Sequence, residues 1–493
     1  MNSSQRSKVT AFLSATFSLV VVAGCNREPE MRPAVFEPNV VQAMKYEIKD
    51  GIDMDQVSKD ATWVVHEFFG TPDEPKIPEF ITSDPDLSEV VSMDNLQMAA
   101  GPESEGHGLY RQHCATCHGV TGNGRGETAA IITPYPRDYR MGTFKFKSTK
   151  RGSKPTREDL ARAIREGIDG TAMKKIPELD EPKIQALVDY VIYLSIRGEL
   201  ERAMIDDAVN ELDLADGDRI LDTQYAESMT QAKSKELTEA LDSPERDDPE
   251  LDEIYDIVED EEKGVDALTA DQRKKYEAEK KLREFENYEE SLAIINEDLL
   301  APIVEDWLDA EDDVVEVPEK PEGIPVADNY EQFVEMQQGD QAEALAASIK
   351  RGQEIFVGKI ASCSKCHGEK GRGDGQKDDF DDWTKDWTVR AGLKPTEYDS
   401  LVPLIARGAL PPKNALPRDF AAGVYRGGES AEDLYRRITQ GIEGTPMPAA
   451  TFVPGQFEEV DVWHLINFIR SLQTAPSETP QETAPADAAK PAV

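Results

Sequence analysis

The sequence predicts a mainly α protein built from two related helical domains separated by an acidic, helix-rich middle region. Three observations predict it. "EDLARAIREGIDGTAM" at Glu158–Met173 aligns without a gap to "EDLYRRITQGIEGTPM" at Glu432–Met447, the mark of a duplicated unit. Apolar residues in both copies recur at the helical period, Leu160 and Ile164 being matched by Leu434 and Ile438. All cysteines but one fall in two C-x-x-C-H pentapeptides, Cys114–His118 and Cys363–His367.

From the N-terminus, Arg6 and Lys8 precede an apolar run from Val9 to Val22. At about fourteen residues it falls short of the ~20 a spanning helix needs, so it reads as an export signal. The run ends in "VAGC", and Val22, Ala23, Gly24 and Cys25 resemble the bacterial lipoprotein signal. That resemblance implies removal of residues 1–24, lipidation of Cys25 and an exported, membrane-anchored protein on the periplasmic side. The other reading is an ordinary signal peptide with an incidental cysteine. No other segment is long and apolar enough to span a bilayer. Residues 25–100 form an N-terminal extension with a helix near Asp55–Phe69 and proline-rich extended pieces, and no function is read from them.

With Cys25 assigned to lipid, four cysteines remain, Cys114, Cys117, Cys363 and Cys366, and none is left for structural disulfides. C-x-x-C-H admits a zinc site, a redox dithiol or covalent haem attachment. Zinc does not need the adjacent histidines His118 and His367. A redox dithiol would follow a strand, whereas the flanks here are helical and run into glycine-rich stretches. Haem uses every residue of the motif: two thiols on one helical turn bond the vinyl groups, and the histidine sits under the iron. Two motifs predict two covalently bound haem c groups.

Iron held by one histidine needs a second axial partner or keeps an open position. Both repeat helices end at a glycine, Gly167 or Gly441, and deliver a Gly-Thr-x-Met loop. The duplication extends to Gly106…Leu109-Tyr110 against Gly352…Ile355-Phe356, to Pro136–Tyr139 against Pro417–Phe420, and to closing helices from Leu187 and Leu465. These blocks resemble the class I cytochromes c, in which N- and C-terminal helices pack together and a loop methionine reaches the iron. The resemblance implies axial pairs His118 with Met173 and His367 with Met447, over domains at 101–200 and 345–474. A methionine is more often core filler than ligand, and Met141 is a rival for the first iron in what reads as an extended segment. His107, His113 and His464 are further candidates, with a packing role favoured for His464. Arg137 and Arg418 are candidate partners of haem propionates, against a surface arginine or a salt bridge to the next aspartate.

The copies differ in one interval: from the motif histidine to Pro-Arg-Asp is eighteen residues in the first and fifty in the second. The inserted stretch, with Asp378, Asp379, Asp381, Asp382, Trp383 and Trp387, reads as a solvated loop whose tryptophans fold back on its haem domain. A docking loop or a carboxylate metal site is the alternative. The middle region, 201–344, is acidic, with thirteen acidic against two basic residues over Asp242–Asp266. Its charge runs read as a solvated face or tether, while Leu282, Phe285, Leu292, Ile295, Leu299 and Ile303 keep a helical period. Arg137–Lys175, by contrast, holds twelve basic and five acidic residues, a face on which the middle segment or an acidic redox partner would dock. Residues 475–493 read as a disordered tail.

The net charge of −42, from 97 acidic and 55 basic residues, excludes nucleic acid as a natural partner. The sequence therefore predicts a membrane-anchored dihaem cytochrome that carries electrons in a periplasmic or respiratory chain. Its redox partners would be an oxidase, a quinol-oxidising complex or a dehydrogenase, and it would have no catalytic residues of its own. A dihaem peroxidase, or a cytochrome subunit of a larger respiratory or dehydrogenase complex, is the alternative.

Overall fold

Helices begin where capping residues put them. In the computed structural model, which describes residues 34–241, 248–260 and 264–474, Thr156 and Ser430 open the repeat helices Arg157–Glu166 and Ala431–Gln440 by accepting the Asp159 and Asp433 amides. Each cap satisfies a donor that the first helical turn leaves open. Both helices stop at a glycine in the left-handed region, Gly167 (φ 77°) and Gly441 (φ 70°), where a Cβ would be strained. The signal segment, Cys25 and the tail lie outside the described residues. The chain from Phe36 onward forms one compact unit, and Met1–Val35 a separate one of which only residues 34 and 35 are described. Among the described residues no helix is long and apolar enough to cross a membrane.

The second copy has the helix pair that the sequence predicts. Ala342–Val357 packs against Asp461–Ser471, with Phe356 on Phe468 at 5.1 Å between ring centroids. Gly352 permits the close approach: a Cβ there would collide with the His464 carbonyl. Ile355, Leu465, Ile466 and Ile469 complete the buried seam.

The first copy departs from this pattern. Its N-terminal helix is a short piece, Leu109–His113, and Gly106 lies outside it in open space at φ 77°. Gly106 is therefore not the counterpart of Gly352, because "GPESEGHG" before Leu109 cannot sustain a helix. The short piece still meets the closing helix Glu181–Glu211, with Tyr110 on Tyr190 at 4.9 Å, and Asp55–Phe69, a helix where the sequence places it, and Met93–Ala99 pack on the same helix beside it. Val57, Val64, Val65, Phe69, Leu96 and Ala99 are buried there. The closing helix has 31 residues, about 46 Å at 1.5 Å per residue, and continues past Leu200. Inside it Arg197 and Glu201, each 1 % exposed, pair at 3.3 Å, and Glu201 also accepts the Asn39 amide at 2.7 Å.

Part of the middle region packs on the core as its helical period leads one to expect: Ile295 is buried with Leu300, Val304 and Trp307 in the closing helix's cluster, and Leu292, Leu299 and Ile303 pack against it. Its acidic end crosses the basic segment of the first copy: Val315 N–H donates to the Ser148 carbonyl (2.9 Å), and Lys150 Nζ pairs with Asp313 (2.8 Å). One reading of the surrounding segments is corrected: the insertion of the second copy is not a solvated loop but contains two helices, Asp382–Arg390 and Tyr398–Ala406. Trp387, Leu401 and Leu404 pack with Met44 of Val40–Asp50, so the apolar spacing outweighs the aspartates. Asp381 caps the first of these helices by accepting the Thr384 amide at 2.9 Å. Among the described residues no three His, Cys, Asp or Glu side chains gather as a metal site.

Candidate functional site

Each C-x-x-C-H motif forms one helical turn, Ala115–His118 or Ser364–His367. The His118 amide donates to the Cys114 carbonyl (2.9 Å) and the His367 amide to the Cys363 carbonyl (3.0 Å), which puts both thiols of a motif on one turn. None of Cys114, Cys117, Cys363 and Cys366 is joined in a disulfide. A glycine ends each turn, and the chain folds back so that Gly124 N–H meets the His118 carbonyl (2.9 Å) and Gly373 N–H that of His367 (2.8 Å).

The histidines are oriented alike. His118 Nδ1 lies 3.1 Å from the Arg137 carbonyl, and His367 Nδ1 lies 3.2 Å from the Arg418 carbonyl. Since a carbonyl only accepts, Nδ1 carries the proton and Nε2 keeps its lone pair for a metal. Burial pushes His118 down to about 4 and lowers His367 as well, so both imidazoles are neutral at pH 7. Tyr139 stacks on His118 at 4.8 Å and Phe420 on His367 at 4.6 Å. Burial also raises the Cys114 thiol to about 12 and Cys363 to about 11, so neither is a free thiolate.

The methionine loops share their scaffold. Thr171 Oγ1 donates to the Ile168 carbonyl (2.7 Å) and accepts the Met173 amide (3.1 Å), and Ile168 N–H donates to the Met173 carbonyl (2.8 Å). Thr445 Oγ1 does the same with Ile442 (2.7 Å) and Met447 (3.2 Å), closed by Ile442 N–H on the Met447 carbonyl (3.2 Å). Met141, by contrast, sits in a tight 3-10 turn, Tyr139–Met141, so its segment is not extended as the sequence suggests. His107 Nδ1 meets the Gln97 carbonyl (3.1 Å), His113 ends Leu109–His113, and His464 Nδ1 meets Ser348 Oγ at 2.7 Å, a packing role.

The arginines make no ion pair with the aspartates that follow them. Asp138 pairs with Arg140 (2.7 Å), and Asp419 faces Arg372 (3.5 Å). Arg137 Nη1 is shielded from solvent without a hydrogen-bond partner, and burial holds the guanidinium down to about 9. A buried donor of this kind is destabilising until an acceptor arrives. Two cysteines on one turn, an Nε2 lone pair and an orphaned guanidinium nitrogen fit an iron macrocycle that carries vinyl groups and carboxylates.

The two copies meet through their methionine loops. Arg426 donates to the Gly170 carbonyl (2.9 Å), Lys147 pairs with Glu443 (2.6 Å) and Arg162 with Asp433 (2.9 Å). Sequence reasoning missed the ring that stacks on each histidine and the threonine that braces each loop. Both stand in the repeated blocks, as Tyr139 and Phe420 and as Thr171 and Thr445, and recurrence, aromatic for aromatic and threonine for threonine, is the available signal.

Comparison with known proteins agrees with this duplication. Residues 101–191 match the family model for subunit III of cbb3-type cytochrome c oxidase, and residues 349–473 match the model for cytochrome c. No curated protein matches the chain. A solved chain from the reducing HAO-like protein complex of Kuenenia stuttgartiensis is similar at 19% identity and a TM-score of 0.38, over 76% of this chain and 97% of that one. A likeness of that size carries no argument about function.

Proposed function

Because the chain carries two class I c-type cytochrome domains, each with one covalently bound haem c, we propose that it is a dihaem electron carrier held by a lipid on Cys25 at the periplasmic face of a membrane. There it passes single electrons between redox proteins. Cytochrome c domains are electron-transfer domains, and the proposal adds the closed coordination, the anchor and the place. Cys114 and Cys117 hold the first haem and Cys363 and Cys366 the second. His118 with Met173, and His367 with Met447, are the axial pairs.

Each haem supplies an iron that cycles between ferrous and ferric states. The chain's residues set how. The Arg137 and Arg418 carbonyls fix the imidazole tautomer and raise its basicity as a ligand. The Thr171 and Thr445 hydroxyls hold each methionine loop in one conformation, so little reorganises when charge changes. A thioether ligand raises the potential relative to a second histidine. The observation that supports closed sites is the common hydrogen-bond scaffold of the two methionine loops.

A carbon monoxide difference spectrum of the reduced full chain tests the reading. No spectral change is expected from two six-coordinate irons. A change equal to one haem per chain would expose an open site and replace the carrier with a peroxidase-like enzyme. For the anchor, Cys25→Ser is expected to move the protein from the membrane to the soluble periplasmic fraction, and retention in the membrane would refute lipidation.

A further inference from the structure

The insertion that distinguishes the second copy carries a side chain to the place where the copies meet. Asp381 fixes the start of Asp382–Arg390, which puts Trp383 in the first turn and Trp387 one turn later. Trp387 is buried with Leu401 and Leu404 and anchors the helix. The insertion is also tied to the first copy, with Arg202 on Asp386 (3.2 Å), Tyr135 Oη donating to the Pro411 carbonyl (2.9 Å) and Lys413 Nζ to the Ile132 carbonyl (2.8 Å). So held, Trp383 has a neighbour from each copy. The Arg137 guanidinium lies 3.5 Å from its ring centroid, and its six-membered ring fills the space where a Cβ on Gly444 would stand. Gly444 has φ 69° and leads directly into Thr445 and Met447.

Two donors at this contact have no acceptor. Arg137 Nη1 and Trp383 Nε1 are both shielded from solvent without a hydrogen-bond partner. A buried donor without an acceptor is destabilising, and two on stacked groups point to a shared missing acceptor. A haem carries carboxylates, and Arg137 belongs to the segment whose carbonyl holds His118. At the matching place in the first copy, Gly170 is backed by Val424 rather than by an indole.

We infer that Trp383 is a positioning residue shared by both haem sites: its indole N–H joins Arg137 as a donor to a carboxylate of the first haem, while its ring braces the loop that presents Met447 to the second. The inference rests on the axial assignment made above. One side chain of the insertion then links the electrostatics of the first iron to the geometry of the second. Loss of the N–H leaves the carboxylate less neutralised, which favours the ferric state and lowers the first potential. Loss of the ring frees the methionine loop.

The test is a redox titration of the full chain with both haems, combined with hydrogen exchange at residues 442–447. The wild type must first show two haems and the sulfur-to-iron band of methionine ligation; their absence would overturn the axial assignment itself, before any variant is read. Trp383→Phe, which keeps a ring and loses the donor, is expected to lower one midpoint potential and leave loop exchange unchanged. Trp383→Leu is expected to lower that potential and also speed loop exchange by about fivefold or more, within the range for a residue in a coupled contact. Arg137→Lys keeps the charge and loses the fork, and is expected to act non-additively with Trp383→Phe. Unchanged potentials in Trp383→Phe, or strict additivity with Arg137→Lys, would overturn the inference. Should Trp383→Leu fail to take up haem, the conservative pair still decides it.

Discussion

Gly352→Ala sets two known effects against each other. Alanine in a helix interior is favoured over glycine by about 1 kcal/mol, so propensity alone predicts a more stable protein. The added Cβ, however, meets the His464 carbonyl and the Phe468 Cβ on the partner helix. Overpacking costs about 1–3 kcal/mol, and a backbone carbonyl inside Asp461–Ser471 cannot swing aside as a flexible side chain can, so the upper end applies. The net expectation is a loss of about 1–2 kcal/mol at the crossing. Unfolding of so large a chain need not be two-state, so the assay is local: amide exchange across Asp461–Ser471 by mass spectrometry. A loss of 1–2 kcal/mol lowers protection there by about five- to thirtyfold. Gly106→Ala, whose Cβ meets nothing within 4 Å, is the control and should leave that helix unchanged. Protection that is equal or higher in Gly352→Ala would refute the argument that backbone contact dictates this glycine.

Other outcomes follow from the same geometry. Lys45, 1 % exposed, is pushed by burial from 10.5 to about 8, against the pull of Asp206. The unfolded chain therefore binds more protons between those values and folding gains stability as pH rises through them, by about 3 kcal/mol in total. Lys45→Met should thus be more stable than wild type at pH 7, with a gap that narrows toward pH 10 in denaturant titrations; a constant gap would refute it. Glu201→Gln keeps an acceptor for the Asn39 amide but leaves Arg197 unpaired in the core, and should destabilise that part of the closing helix by about 3 kcal/mol, read as lost amide-exchange protection across Glu181–Glu211. Thr445→Val removes the hydroxyl that accepts the Met447 amide and donates to Ile442. At about 1 kcal/mol per hydrogen bond, the ferrous second haem should gain measurable carbon monoxide binding while the first does not.

How much of this was legible in the sequence depended on recurrence. The capping residues, glycine stops and Gly-Thr-x-Met loops repeat in register, and the fold carries them in register. What does not repeat is legible only in part: Asp55–Phe69 is a helix where its sequence predicts one. "GPESEGHG" shortens the first copy's N-terminal helix to Leu109–His113, and the helices that pack beside it, Asp55–Phe69 and Met93–Ala99, come from a segment that matches nothing in the second copy. The aspartates of the insertion suggest a solvated loop, whereas Trp387, Leu401 and Leu404 decide its structure. Contacts between the copies, such as Arg426 to Gly170 or Trp383 to Arg137, leave no local periodicity and could not be read from one sequence.

The length of the closing helix bears on how the chain can be taken apart. A cut after Leu200 would remove Met204, Ile205 and Ala208, which are 1 %, 2 % and 0 % exposed, and would expose the seam beneath them. On the other side, the second copy's core takes in Val326, and Asn467 Nδ2 donates to the Pro325 carbonyl at 2.7 Å, well ahead of residue 345. Boundaries drawn at the ends of the repeats therefore give fragments with torn cores on both sides. The duplicated stretch is a unit of pattern and no longer a unit of folding, so halves intended for separate spectroscopy need to be divided late in the middle region, after Trp307, which belongs to the first core, and before Val317, which packs on the second.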